Sequence, residues 1–122
     1  MEAWIQCMNI NIVGAMYCLQ EAAQIMGAQK SGSIINMSSL MGLQGYPMRS
    51  AYVASKFALI GITETMAREL GPLNVRVNAL MPGAVSGKNM DRVLARRAEA
   101  EGRPAEEIER ESYTDVAALK RW

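Results

Sequence analysis

Apolar residues recur at three- and four-residue steps along the first segment of the chain. The repeat includes Ile5, Ile12 and Leu19 and stops after Met26. This spacing places the apolar side chains on one side of an α-helix, so it predicts an amphipathic helix that ends near Gly27.

A short run rich in β-branched residues follows this helix. Residues 33–38 read SIINMS, which is typical of a buried strand in a parallel sheet. We expect a loop over residues 39–49, because Gly42, Gly45 and Pro47 interrupt any regular pattern there.

Helix and strand patterns then repeat. A second helix is predicted from about Ser50 to Leu70, followed by a strand that begins near Val75 and stops at Pro82-Gly83. The order helix, strand, helix, strand predicts an α/β fold with a parallel sheet.

The composition changes to Arg, Glu and Ala after Gly87. A helix is predicted from Asn89 to Glu101, with a break at Gly102 and a second short helix that has Pro104 at its first position. We therefore divide the chain into an α/β part, residues 1–87, and a helical part, residues 88–122.

The predicted connections also say where the two long helices lie. Right-handed crossovers between parallel strands place both helices on the same face of the sheet. Some of Ile34, Ile35, Val75 and Val77 must then point to the uncovered face, where exposed apolar area costs about 25 cal/mol per Å². We expect the chain by itself to be marginally folded or to self-associate.

Composition excludes several classes of function. The net charge is +1, and basic residues alternate with acidic ones instead of forming a stripe, which argues against nucleic-acid and membrane-surface binding. The first residues do not resemble a signal peptide and no stretch is long and apolar enough to span a bilayer, so a cytoplasmic protein is expected. With no histidine and no close pair of cysteines, a metal site is not expected.

Because the chain has no histidine, a tyrosine beside a lysine is the best candidate for proton transfer near neutral pH. Tyr52 and Lys56 are four residues apart, so they share a helix face, and Ser39 follows the first predicted strand. A lysine beside a tyrosine in a closed pocket stabilises the tyrosinate, which suits acid and base chemistry. Each residue also has a simpler interpretation: a half-buried tyrosine beside a solvated lysine, and a serine that caps a loop. Asn11 could equally be a helix residue that faces water.

Four stretches of the chain together resemble the short-chain dehydrogenase/reductase family, whose fold is a doubly wound parallel sheet of the Rossmann type. They are WIQCMNINIVG (4–14), GSIINMSSLMG (32–42), YVASK (52–56) and NVRVNALMPGAV (74–85).

The resemblance implies a role for each residue of the candidate site. Tyr52 would exchange a proton with the substrate, Ser39 would hydrogen-bond the substrate oxygen, and Asn11 would hold a water that leads to Lys56. Lys56, beside Tyr52, would stabilise the tyrosinate and bind the ribose of the nicotinamide cofactor.

The resemblance extends to the cofactor and its neighbours. Pro82, Gly83 and Val85 match a segment that packs on the nicotinamide, and residues 88–122 resemble a substrate lid. The implied reaction is NAD- or NADP-dependent hydride transfer between the nicotinamide and a carbonyl or alcohol carbon of a small keto or hydroxy compound. The long helices are those through which such enzymes pair into homo-oligomers.

The chain also departs from the family pattern. Its 122 residues contain neither the glycine-rich turn that binds the pyrophosphate nor the residue that selects between the two cofactors. An alternative to the enzyme is therefore a non-catalytic remnant or interaction module that associates through its long helices.

Overall fold

The computed structural model describes every residue from Met1 to Trp122. The α/β fold predicted from the sequence is confirmed. In chain order the elements are α1 (Glu2–Met8), a π-helical turn (Asn9–Val13), α2 (Gly14–Gln29), β1 (Gly32–Met37), a 3-10 turn (Leu40–Gly42), α3 (Ser50–Leu70), a 3-10 turn (Gly71–Leu73), β2 (Val75–Leu80), α4 (Lys88–Glu101), α5 (Ala105–Glu109) and a second π-helical turn (Arg110–Thr114).

The chain divides into two compact units. The first comprises Met1–Gly83 and the second Ala84–Trp122. None of the helices combines the length and the apolar character that a membrane span requires.

The first helix ends later than predicted. Helical structure continues through the π-helical turn and α2 to Gln29, where Lys30 adopts a left-handed conformation with φ of 54°. Gly27 is instead buried inside the helix, and a Cβ atom there would lie 3.2 Å from Cδ1 of Leu73. This glycine therefore allows close packing and does not end the helix.

Strands β1 and β2 form a two-stranded parallel sheet. Their register pairs Gly32 with Val75 at one end and Met37 with Leu80 at the other. Side chains alternate between the two faces along each strand, so the residues of one face are buried and those of the other are exposed.

One face of the sheet carries the core of the first unit. Ile34, Val75 and Val77 pack there against Leu19 of α2 and against α3. The predicted placement of both long helices on one face is confirmed.

The other face has no cover within the first unit, and on it apolar residues alternate with the exposed polar residues Ser33, Arg76 and Asn78. Ile35 is 57% exposed, and Met37 and Leu80 are exposed to a similar degree. Of the four residues considered from the sequence, only Ile35 points to this open face.

The second unit consists of α4, α5 and the π-helical turn that follows. The predicted break is present at Gly102, with φ of 63°. The prediction that Pro104 occupies the first position of the second short helix is wrong. The ψ of 138° at Pro104 is extended, so this residue precedes α5, which begins at Ala105.

Charged side chains connect the segments of the second unit. Arg103 bridges Glu107 at 2.8 Å and Glu111 at 2.6 Å. The hydrogen bond and charge of Arg103 hold the pKa of Glu111 below its ordinary value. Trp122 stacks on Tyr113 with ring centroids 5.6 Å apart, which attaches the end of the chain to the π-helical turn.

Candidate active site

Tyr52 and Lys56 lie one turn apart at the start of α3. The Nζ atom of Lys56 is 5.4 Å from the centroid of the Tyr52 ring. The same Nζ donates a hydrogen bond of 2.9 Å to the carbonyl oxygen of Met37, the last residue of β1. The ammonium group therefore lies beside the tyrosine and at the carboxyl end of the strand, where parallel α/β sheets bind ligands.

Ser39 lies just beyond the end of β1. It precedes the 3-10 turn Leu40–Gly42, and its Oγ accepts a hydrogen bond from the backbone nitrogen of Met41 at 3.2 Å. This is the capping interaction considered as the simpler interpretation. Because the oxygen serves here as an acceptor, the hydroxyl proton is still free to be donated to a substrate oxygen.

The loop that carries Ser39 is held against α3. The hydroxyl of Ser38 donates to the carbonyl oxygen of Lys56 at 2.9 Å. A Cβ atom on Gly42 would lie 2.6 Å from Oγ of Ser38 and 2.9 Å from the carbonyl oxygen of Lys56. Only glycine allows the loop to come this close to α3, and this contact fixes the loop relative to the turn that contains Lys56.

Asn11 belongs to the π-helical turn and contacts α3 through a side chain. Its Nδ2 donates to Oγ of Ser55 at 3.0 Å and lies 3.6 Å from Sγ of Cys7. Asn11 and Lys56 both line a groove of about 470 Å³ beside β1. The direct partner of Asn11 is thus Ser55, and its connection to Lys56 through water stays a prediction.

The residues predicted to contact the cofactor are divided between the units. Pro82 follows β2, and its carbonyl oxygen accepts a hydrogen bond of 2.9 Å from the backbone nitrogen of Leu40, which places it at the same edge of the sheet as Ser39. No atom lies within 4 Å of a Cβ built on Gly83, so its backbone is open to a ligand. Val85 belongs to the second unit and is exposed.

Polar residues outside the motifs of the sequence join α3 to its neighbours. Besides Ser38 and Ser55, the buried amide of Asn36 donates to Oγ1 of Thr63 at 2.8 Å. The sequence indicates two of these residues by position, since Ser55 directly precedes Lys56 and Ser38 directly precedes Ser39.

Comparison with known proteins identifies the family. A family model described as short chain dehydrogenase matches residues 1–99. The chain therefore belongs to the short-chain dehydrogenase family. The 3-oxoacyl-[acyl-carrier-protein] reductase FabG of Thermotoga maritima is 42% identical over 84 residues, which are 69% of this chain and 34% of the relative.

Solved structures agree with this assignment. Sorbitol-6-phosphate 2-dehydrogenase SrlD of Erwinia amylovora superposes with a TM-score of 0.90 and 30% identity over 99% of this chain and 48% of that protein. NAD⁺-bound xylitol dehydrogenase matches with a TM-score of 0.73, at 37% identity over 79% of this chain and 37% of its own. ElxO with bound NADP matches with a TM-score of 0.71, at 27% identity over 91% and 41%. The chain spans between a third and a half of the length of these proteins.

Proposed function

We propose that this chain carries the catalytic part of an NAD- or NADP-dependent oxidoreductase that interconverts a carbonyl compound and an alcohol. The observation that carries the proposal is the position of Lys56 Nζ, between the ring of Tyr52 and the carboxyl end of β1. Membership in a family whose named members here are reductases and dehydrogenases supports the same conclusion.

In the direction of reduction, the hydroxyl of Tyr52 donates its proton to the substrate oxygen, while Ser39 donates a hydrogen bond to that oxygen. The ammonium of Lys56 stabilises the tyrosinate that remains. For unit charges about 5 Å apart, the attraction is about 3 kcal/mol at an effective dielectric constant near 20 and less than about 1 kcal/mol in bulk water. The site therefore depends on exclusion of water.

The nicotinamide, when bound, supplies or accepts the hydride. Lys56 has ammonium protons beyond the one given to Met37, and these would hold the ribose hydroxyls. The open backbone at Gly83, with Pro82 before it, would lie against the nicotinamide ring. Because relatives are known with each of NAD⁺ and NADP, the proposal covers both cofactors.

A chimera tests the proposal. Residues 1–122 would replace the matching segment of the Erwinia sorbitol-6-phosphate dehydrogenase, which supplies the parts of the enzyme outside this chain. We expect substrate-dependent oxidation or reduction of the nicotinamide, measured by absorbance at the wavelength of the reduced cofactor. A folded chimera that binds the cofactor without any turnover of sugar phosphates, ketones or hydroxy acids would contradict the proposal.

The open sheet face favours a second candidate, a module that associates with other protein. Ile35, Met37 and Leu80 are exposed on it. Homo-oligomer formation through α3 likewise stays a proposal. The side of α3 that carries small residues contains Gly61, and this side is open, because a Cβ atom on Gly61 would have no neighbour within 4 Å. If the purified chain associated at micromolar concentration and did not bind NADH or NADPH, this candidate would be preferred.

A further inference from the structure

We propose that Ser55 is a positioning residue that aligns Asn11 with the turn of α3 carrying Tyr52 and Lys56. The inference rests on the proposed function, because it concerns residues of the proposed active site. Ser55 is completely buried and has hydrogen bonds to residues of two different helical segments.

The hydrogen bonds of Ser55 have defined directions. The hydroxyl of Ser55 donates to the carbonyl oxygen of Tyr52 at 2.7 Å. A serine has one proton to donate, so its oxygen can only accept from Asn11, whose Nδ2 is 3.0 Å away. Ser55 therefore determines which end of the Asn11 amide faces α3.

The first turn of α3 has no side-chain cap, because Arg49, the residue before the helix, makes no capping hydrogen bond. Tyr52 lies in this turn. The hydroxyl of Ser55 does not bond the free N–H groups of the turn; it donates to the carbonyl oxygen of Tyr52 and accepts from Asn11, so it connects this turn to the π-helical turn.

The helix that faces α3 is widened at Asn11. Asn11 is the middle residue of the π-helical turn Asn9–Val13, a widened turn of a kind that is rare in proteins and frequent at functional sites. The amide of Asn11 reaches Ser55 from this turn. Removal of the buried Ser55 hydroxyl would take from Asn11 its one side-chain hydrogen bond to α3, so the pair connects the two helical segments at the proposed site.

Thr63 provides a matched control on the same helix. It is also buried, donates to the carbonyl oxygen four residues earlier at 2.7 Å, and accepts from the amide of Asn36 at 2.8 Å. The two hydroxyls thus have the same chemistry, but Thr63 lies about two turns beyond Lys56. Their removal should cost similar stability and have different effects on the site.

The test is NMR spectroscopy of the whole chain and its variants. The side-chain amide of Asn11 donates to Ser55, so its NMR signals report the alignment directly. We expect Ser55→Ala to move these signals and to speed the exchange of their protons with solvent. Thr63→Val should leave both unchanged although it lowers the unfolding midpoint.

Asn11→Ala is a second variant, at a half-buried position that tolerates truncation better than Ser55. It should lower the unfolding midpoint, and the double variant with Ser55→Ala should lower it by less than the two single losses combined. The proposal is overturned if Ser55→Ala leaves the Asn11 amide signals as they are in the parent, if Thr63→Val moves them equally, or if the two losses of stability add in full. These signals need no turnover, so an inactive chimera would refute the proposed function without affecting this result.

Discussion

Two adjacent isoleucines of β1 allow the open face of the sheet to be tested. Ile34 is 7% exposed and packs against α2 and α3, whereas Ile35 is 57% exposed on the other face. Truncation to alanine removes the same three carbon groups at both positions. The predicted difference therefore arises from burial, because residue type, strand and change in β propensity are almost identical.

The structure sets the size of the effect. Three carbon groups at about 0.8 kcal/mol each give roughly 2.4 kcal/mol of transfer free energy. At Ile34 nearly all of this is lost and a cavity is added, so Ile34→Ala should lower the free energy of unfolding by about 2–5 kcal/mol. At Ile35 less than half of the side chain is covered and no cavity forms, so Ile35→Ala should cost about 1 kcal/mol or less.

The assay is urea unfolding followed by far-ultraviolet circular dichroism at two protein concentrations. If a second copy covers the open face, Ile35→Ala will become more costly as the concentration rises, because association stabilises the folded state. Equal losses for the two variants at every concentration would refute the assignment of the two faces.

Two further predictions concern the loop and the second unit. Gly42→Ala should destabilise the first unit by about 1–3 kcal/mol, because its Cβ would contact Ser38 and Lys56, whereas Gly45→Ala has no neighbour within 4 Å and should change the unfolding midpoint little. The pKa of Glu111 is lowered in the folded state, so its contribution to stability is present above its ordinary value of 4.5 and is lost as the pH falls through the folded value. Acid titration followed by Trp122 fluorescence, with Trp4→Phe in both chains so that Trp122 alone is observed, should therefore show a change below that pH. Glu111→Gln should weaken this pH dependence, and the same acid transition in both chains would contradict the role of Arg103.

Local patterns in the sequence were sufficient to predict the order of the elements. Spacing of apolar residues located the long helices, and the β-branched run located β1. The same patterns could not say which of Ile34 and Ile35 faces the helices, since the run is apolar at both positions. In the structure, Ile34 and Asn36 share the core face, and the amide of Asn36 is satisfied there by Thr63.

The candidate site was predictable only where its residues are close in the sequence. Tyr52 and Lys56 are four residues apart, and helical geometry brings them together as expected. Asn11 and Ser55 are 44 residues apart, and no local pattern relates them. The π-helical turn around Asn11 was also not predicted, because an apolar repeat of three- and four-residue steps tolerates one widened turn.

The capping role of Ser39 and the packing role of Gly27 illustrate a second limit. A serine after a strand can cap the backbone, bind a ligand, or do both, and the structure supports the cap directly. A glycine near the end of an apolar repeat can end a helix or let another segment approach. Gly27 does the latter against Leu73, which only the tertiary structure reveals.

In the proposed function, Tyr52 is the proton donor. The most direct measurement is the kcat of the chimera with Tyr52→Phe, which removes one hydroxyl and keeps the ring beside Lys56. Tyr17→Phe is the matched control, because Tyr17 is 68% exposed on α2. We predict a fall in kcat of about 10²- to 10⁴-fold for Tyr52→Phe with cofactor affinity retained, and no change for Tyr17→Phe. A Tyr52→Phe chimera that keeps the kcat of its parent would contradict this role of Tyr52.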